Sequence, residues 1–386
     1  MTALQRVVMI GCFALASAWA GMVGAAEQSA PPRLVKAWSS QLKQEYGADG
    51  VCVRDGFIYL GTGGAEPVIA KLRVADGAVQ WSWREKGLDT YQPSYPVSNG
   101  KVAVFGPYGG GNLIGLDDAT GEKRWEAPAL KGVLSACCFE KDLAIIGSYD
   151  HHLYAIDWTT GQIRWKTRLG EKLWSRPCVV DDRAYVGAYD GFLYGVDLAD
   201  GEIKTKIDCG GRIKYDPVAS HGLIFLAADE QRPPAEFDSN KERRELLVID
   251  PDQGEIVSKF HSDSRFGPTI FEQGGTLYFH DSRHLYAYDA TKRKLRWKVA
   301  APPNMKPFPI FQGDRIVLAM NVMGREGQHE PLVATIDRAT GKELSRSSTG
   351  GIVIIDFGHY RQVGDMLLTT DHRLTCYKIA NGAQGD

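Results

Sequence analysis

The stretch His152-Leu153-Tyr154-Ala155-Ile156-Asp157-Trp158-Thr159-Thr160-Gly161-Gln162-Ile163-Arg164-Trp165 decides the architecture, because the chain keeps returning to it. Its LYAID segment predicts a half-buried strand. The Asp-x-x-Thr-Gly segment supplies a tight turn with a glycine free to take positive φ, and the residues after it begin a second strand. Close copies are NLIGLDDATGEKRW (Asn112 to Trp125), FLYGVDLADGEIKT (Phe192 to Thr205) and HLYAYDATKRKLRW (His284 to Trp297). Weaker copies are VIAKLRVADGAVQW, ELLVIDPDQGEIVS, LVATIDRATGKELS and a truncated RLTCYKIANG at the end of the chain.

Aligned on the turn glycine, the copies fall at Gly77, Gly121, Gly161, Gly201, Gly254, Arg293, Gly341 and Gly382, spaced by 44, 40, 40, 53, 39, 48 and 41 residues. A period of this size is one propeller blade. Two further short strands precede each hairpin, as in Arg176 to Gly187 with its Asp181-Asp182 turn, so each unit holds four strands. The last unit stops before its fourth strand. A stray fourth strand, Val35 to Leu42, stands near the start of the chain instead. The expectation is an all-β, eight-bladed propeller of four-stranded antiparallel blades, closed by the N-terminal strand completing the last blade. Trp38, Trp81, Trp125, Trp165 and Trp297 share one register beside the turn and are expected to dock each blade on the next. Thr205, Ser258 and Ser345 replace them in three blades.

Composition bounds the function. A net charge of -2 over 386 residues, with no Lys/Arg cluster, argues against an electrostatic grip on nucleic acid. Residues 1–26 read as an export signal: Arg6, the apolar run Val7 to Ala20, then small residues through Ala26. The run is short for a membrane span, and Met9-Ile10-Gly11 before Cys12 is a poor lipobox. One propeller domain over 27–386, periplasmic or secreted and without a lipid anchor, is therefore expected. Six cysteines remain after the leader, too few for a disulfide scaffold at this length.

The phrase LYAIDWTTGQIRW resembles the repeat of the pyrroloquinoline-quinone (PQQ) repeat family, and the resemblance covers essentially all of the chain after Glu27. That family contains quinoprotein alcohol dehydrogenases, which bind PQQ and calcium, and a non-catalytic propeller of the outer-membrane β-barrel assembly machinery. The scaffold does not choose between them. The adjacent Cys137-Cys138 looks like the vicinal disulfide lying over PQQ in the dehydrogenases. In the other reading Cys138 is a packing thiol, because it shares the register of Cys52 and Cys178. The dehydrogenase pattern departs elsewhere: Gly187 to Gly191 is an ordinary turn where a calcium ligand belongs, and no Trp-Asn or Trp-Asp segment supplies the general base.

Loops that crowd one end of the central channel are where a site belongs. The candidates there are Cys137, Cys138, Trp174, Arg176, Lys214, Asp216, His359 and Arg361; no catalytic residue and no metal set is assigned. Two insertions, 227–245 and 319–331, are expected to contact a protein partner. The leading expectation is a non-catalytic binding or assembly module. The second is a short PQQ-dependent oxidoreductase, with Arg176, Lys214 or Arg361 set against the cofactor carboxylates.

Overall fold

The computed structural model describes residues 33–42, 51–62, 68–84, 95–106, 111–133, 135–229, 244–261, 270–281, 283–300, 308–323, 329–348, 360–370 and 374–380. The leader, the domain start at 27 and His359 lie outside these residues. Eight four-stranded antiparallel sheets follow one another along the chain. Blades 1 to 7 span 51–83, 97–130, 138–168, 178–208, 218–260, 271–300 and 308–348, each with its strands in sequence order. Blade 8 takes three strands from 360–380 and its fourth from Arg33–Ser39, which pairs antiparallel with Leu374–Ala380. The first strand of blade 1 approaches those of blades 2 and 8, and those of blades 3, 4 and 5 likewise meet in turn, so first strands surround the axis.

The core is distributed over the seams. Each of the eight apolar clusters draws on two neighbouring blades, from the large one joining blades 2 and 3 to Ile310, Val317 and Leu367 between blades 7 and 8. Second and third strands supply most of it: every residue of Leu143–Gly147 in blade 3 is buried, as is Leu153 to Asp157. Such strands are covered on both faces, which is why they read as near-continuous apolar runs.

Fourth strands are exposed edges, and all of them carry the same irregularity. In blade 3, Trp165 pairs with Ala155 and Ile163 with Ile156, leaving Arg164 as an extra residue. The same one-residue bulge precedes the docking position in blades 1, 2, 4, 5, 6 and 7. In blade 8 it falls at Ala37, because Lys36 pairs with Tyr377 and Trp38 with Cys376. A bulge adds local twist and spoils an edge for further pairing.

The bulge delivers each indole to the next blade. Trp38, Trp81, Trp125, Trp165 and Trp297 press against Gly77, Gly121, Gly161, Gly201 and Gly341, where an added Cβ would lie within 3.0 Å of the ring. These glycines also hold φ between 72° and 77°, so the turn and the dock both demand glycine. Each indole Nε1 then donates to a turn carbonyl, at 2.8 Å from Trp125 to Trp158 and 3.1 Å from Trp297 to Arg338.

Thr205, Ser258 and Ser345 stand at the tryptophan position of three seams, and the seam between blades 1 and 2 adds an ionic network to its dock. Between blades 5 and 6, Ser258 and Arg293 replace tryptophan and glycine; Phe260 packs on Phe279, Tyr286 and Tyr288, while Arg293 Nη1 reaches the buried Asp250 carboxylate at 2.7 Å. Between blades 1 and 2, Lys71 Nζ meets Asp118 Oδ2 at 2.5 Å, and the Tyr59 hydroxyl and Ser98 Oγ donate to Oδ1 at 2.7 and 2.5 Å. Burial of Asp118 opposes its ionisation, and the hydrogen bonds from Lys71, Ser98 and Tyr59 outweigh it, holding the carboxyl below its ordinary range.

The two insertions contain more strand than the sequence shows. Paired strand runs to Asp229 and resumes at Arg244, and in blade 7 it runs to Met323 and resumes at His329. Residues 319–323 and 329–331 are thus paired backbone, which satisfies the peptide groups that a loop would leave to solvent. The expected partner contact of both insertions rests largely on residues outside those described.

Two measurements test this account. Trp38→Ala removes the dock that closes the ring and is expected to cost about 2 to 3 kcal/mol in urea unfolding, a half-buried version of a core aromatic truncation; an unchanged midpoint would rule out closure through this strand. Lys71→Ala leaves the Asp118 carboxylate buried without its cation and is expected to cost about 3 kcal/mol. A loss below about 1 kcal/mol there, in the range of surface pairs, would show that water replaces the lysine.

Candidate functional site

Three connections from a fourth strand to the next first strand each insert one apolar side chain against a glycine at the end of a second strand. Val133 meets Gly106, Leu173 meets Gly147 and Ile213 meets Gly187, where a Cβ would stand 2.0 Å from Ile213 Cγ2. Only glycine lets these segments approach so closely. Backbone hydrogen bonds fasten them: Leu173 N to Ser148 O at 3.1 Å, Tyr189 N to Lys172 O at 3.2 Å, Ile213 N to Ala188 O at 3.2 Å and Asp229 N to Arg212 O at 3.1 Å. The residues flanking each plug, Lys172 and Trp174 or Arg212 and Lys214, are therefore held half-buried at one end of the propeller.

Those side chains form one strip over blades 3, 4 and 5. The Trp174 ring stacks on Tyr189 at 5.6 Å and 14° and meets Tyr149 at 5.7 Å and 59°. Lys172 Nζ lies 4.6 Å from the centre of the Tyr189 ring and 5.6 Å from that of Tyr149, and the Arg212 guanidinium is 5.7 Å from Tyr189. Arg212 Nε and Lys214 Nζ share Asp229 Oδ2 at 3.3 and 3.7 Å. Burial pushes the Tyr189 hydroxyl well above its ordinary pKa, with Tyr149 adding to it and Arg212 opposing. The result is a pre-ordered aromatic surface with cations on its ring faces.

Of the sequence candidates, Trp174 is the centre of this strip and Lys214 joins it through Asp229. Arg176 and Asp216 meet beside it, the Arg176 amide donating to Asp216 Oδ1 at 2.7 Å. Arg361 stands on the first strand of blade 8, Tyr360–Val363, on the far side of the ring, with its side chain outside the described residues. Tyr149, Lys172, Tyr189 and Arg212 are absent from the sequence-based set. Their signal is present nonetheless: Gly147-Ser148-Tyr149-Asp150 and Gly187-Ala188-Tyr189-Asp190 repeat, and so does the alternation of Lys172-Leu173-Trp174 and Arg212-Ile213-Lys214.

Cys137 and Cys138 are both free thiols. Cys137 is buried in the cluster between blades 2 and 3, and burial pushes its pKa far up, with Arg176 opposing. Cys138 opens the first strand of blade 3; it and Cys178 are raised by burial too. Among the described residues no three His, Cys, Asp or Glu side chains are grouped to hold a metal. No described helix is long and apolar enough to cross a membrane.

The family described as Outer membrane protein assembly factor BamB matches residues 35–136, 130–204 and 242–344 of the chain. The chain belongs to this family. Among solved structures, BamB from Moraxella catarrhalis aligns with a TM-score of 0.64 at 15% identity, covering 92% of this chain and 99% of that one. The computationally designed Ika8 protein aligns at 0.65 and 12% identity, covering 89% and 99%. Quinohemoprotein alcohol dehydrogenase from Comamonas testosteroni aligns at 0.57 and 14% identity, covering 92% and 77%. At such identities the structures share a fold, and a fold hosts many functions. No curated protein matches the chain.

The thiols give a direct test of the cofactor-lid reading. Native protein treated with iodoacetamide at pH 8 is expected to leave Cys137 unmodified by mass spectrometry, and to label it after unfolding, because a buried high-pKa thiol is a poor nucleophile. Rapid native labelling of Cys137 would place it at an open site.

Proposed function

We propose that this protein is an exported, non-catalytic binding module in outer-membrane protein assembly, and that it receives a partner protein on the strip around Trp174. The observation that carries the proposal is the strip itself: stacked Trp174 and Tyr189, edged by Tyr149, Lys172 and Arg212, on connections fastened by backbone hydrogen bonds. Tryptophan, tyrosine and arginine are the residues on which interface energy concentrates. Two-torsion aromatics held in place lose little entropy on binding. Membership of a family described as an outer-membrane assembly factor supplies the setting, and the leader at 1–26 supplies the route.

The burial of Cys137 in the cluster between blades 2 and 3 supports packing as its role. This favours binding over quinone chemistry. The test is capture of cross-linked partners by the tagged, full-length protein in its own cells. Trp174→Ala is expected to reduce recovery of the specific partner by about tenfold, as loss of a central aromatic anchor does, with an unchanged melting temperature. Full recovery with the variant would overturn the proposal.

A further inference from the structure

The charges of the strip are not equivalent. Its carboxylates are engaged within the chain: Asp229 with Arg212 and Lys214, Asp190 with the Tyr194 hydroxyl at 2.5 Å, Glu171 with His151 at 3.2 Å, and Asp216 with the Arg176 amide. Two cations are not so consumed. Lys172 and Arg176 form no ion pair among the described residues; the first rests on the rings of Tyr149 and Tyr189, and the charge of the second acts on Cys137, Cys138 and Cys178.

This arrangement selects the sign of what can bind. Ring faces attract cations, but here Lys172 and Arg212 already lie over them. An incoming lysine or arginine would meet occupied rings and like charge. An incoming carboxylate would meet an ammonium with donors to spare and a guanidinium with a planar fork. Lys172, Arg176, Arg212 and Lys214 are matched by Asp190, Asp216, Asp229 and Glu171, so the occupant is selected by the donors that Lys172 and Arg176 keep free and not by a net positive charge.

We infer that the partner segment received here is acidic: a strand or loop of a partner protein that sets Asp or Glu carboxylates against Lys172 and Arg176 and an apolar or aromatic side chain against Trp174. The inference rests on the reading of this face as the partner-binding site. It adds the chemistry of the occupant.

The test uses the intact mature protein and two labelled dodecapeptides of equal length, one built from Glu, Leu and Tyr, the other with Lys in place of Glu. Fluorescence anisotropy is expected to show saturable binding of the acidic peptide alone. Lys172→Glu should weaken it by about tenfold through charge reversal at the rim, and Trp174→Ala by a similar factor, whereas Lys172→Arg should stay within about twofold because the charge is kept. Binding of the basic peptide, or acidic binding indifferent to Lys172→Glu, would overturn the inference. So would equal affinity for a single-stranded oligonucleotide that ignores Trp174→Ala, since that marks a generic polyanion surface. The two readings fail separately. Partner capture lost with Trp174→Ala but kept with Lys172→Glu leaves the face and removes its acidic occupant; capture kept with Trp174→Ala removes the face itself.

Discussion

An indole laid against the turn glycine of the neighbouring blade is the contact on which this ring depends. It couples three features that a single sheet would not need together: a bulge in the outer strand, a left-handed glycine in the next turn and a carbonyl turned to accept the indole proton. Each restricts the others. Without the bulge, tryptophan would alternate to the wrong face; with any side chain on the glycine, the ring could not approach. Nor does the dock serve only neighbours in sequence. Trp38, from the other end of the chain, repeats it on blade 1 by donating to Val74 O at 2.9 Å.

Seams that depart from the plain tryptophan dock show what it supplies. At blades 5 and 6 its two parts are separated, the apolar surface coming from Phe260 and the polar bond from Arg293 to Asp250. At blades 1 and 2 the dock is present, Trp81 donating to Asp118 O, and the adjacent side chain builds a buried ionic network beneath it. A buried ion pair is seldom more stabilising than a good apolar contact, but breaking it is costly, so it works as a specifier of register.

Much of this fold was legible in the sequence because its signals are local. Eight turn motifs gave eight blades, and the stray strand before Gln41 gave the closure. The bulges were not legible, since Ile163-Arg164-Trp165 reads as plain alternation until its partner strand is known. At the candidate site, Trp174, Arg176, Lys214 and Asp216 were singled out because they are conspicuous residues in loops that join blades. Tyr189 was passed over because Gly187 to Gly191 reads as an ordinary turn, and Tyr149, Lys172 and Arg212 because nothing within one repeat marks them. What makes them a site is the plug between them: Leu173 and Ile213 sink onto Gly147 and Gly187 and turn their neighbours outward. That is a contact between blades, which a repeat seen one unit at a time does not reveal.

The strip and the ring are mechanically one object. Its aromatic and cationic groups come from blades 3, 4 and 5, yet each sits on a connection whose position is set by the two blades it joins. A rotation of blade 4 against blade 3 would part Trp174 from Tyr149, and one against blade 5 would part Arg212 from Asp229. The indole of Trp165 under Gly201 resists the first motion, its Nε1 held by Leu198 O at 2.9 Å. Docking between blades thus keeps the strip pre-ordered, so that the proposed binding would require little further ordering. In this propeller the contacts that close the ring and the strip proposed to receive a partner draw on the same rigidity.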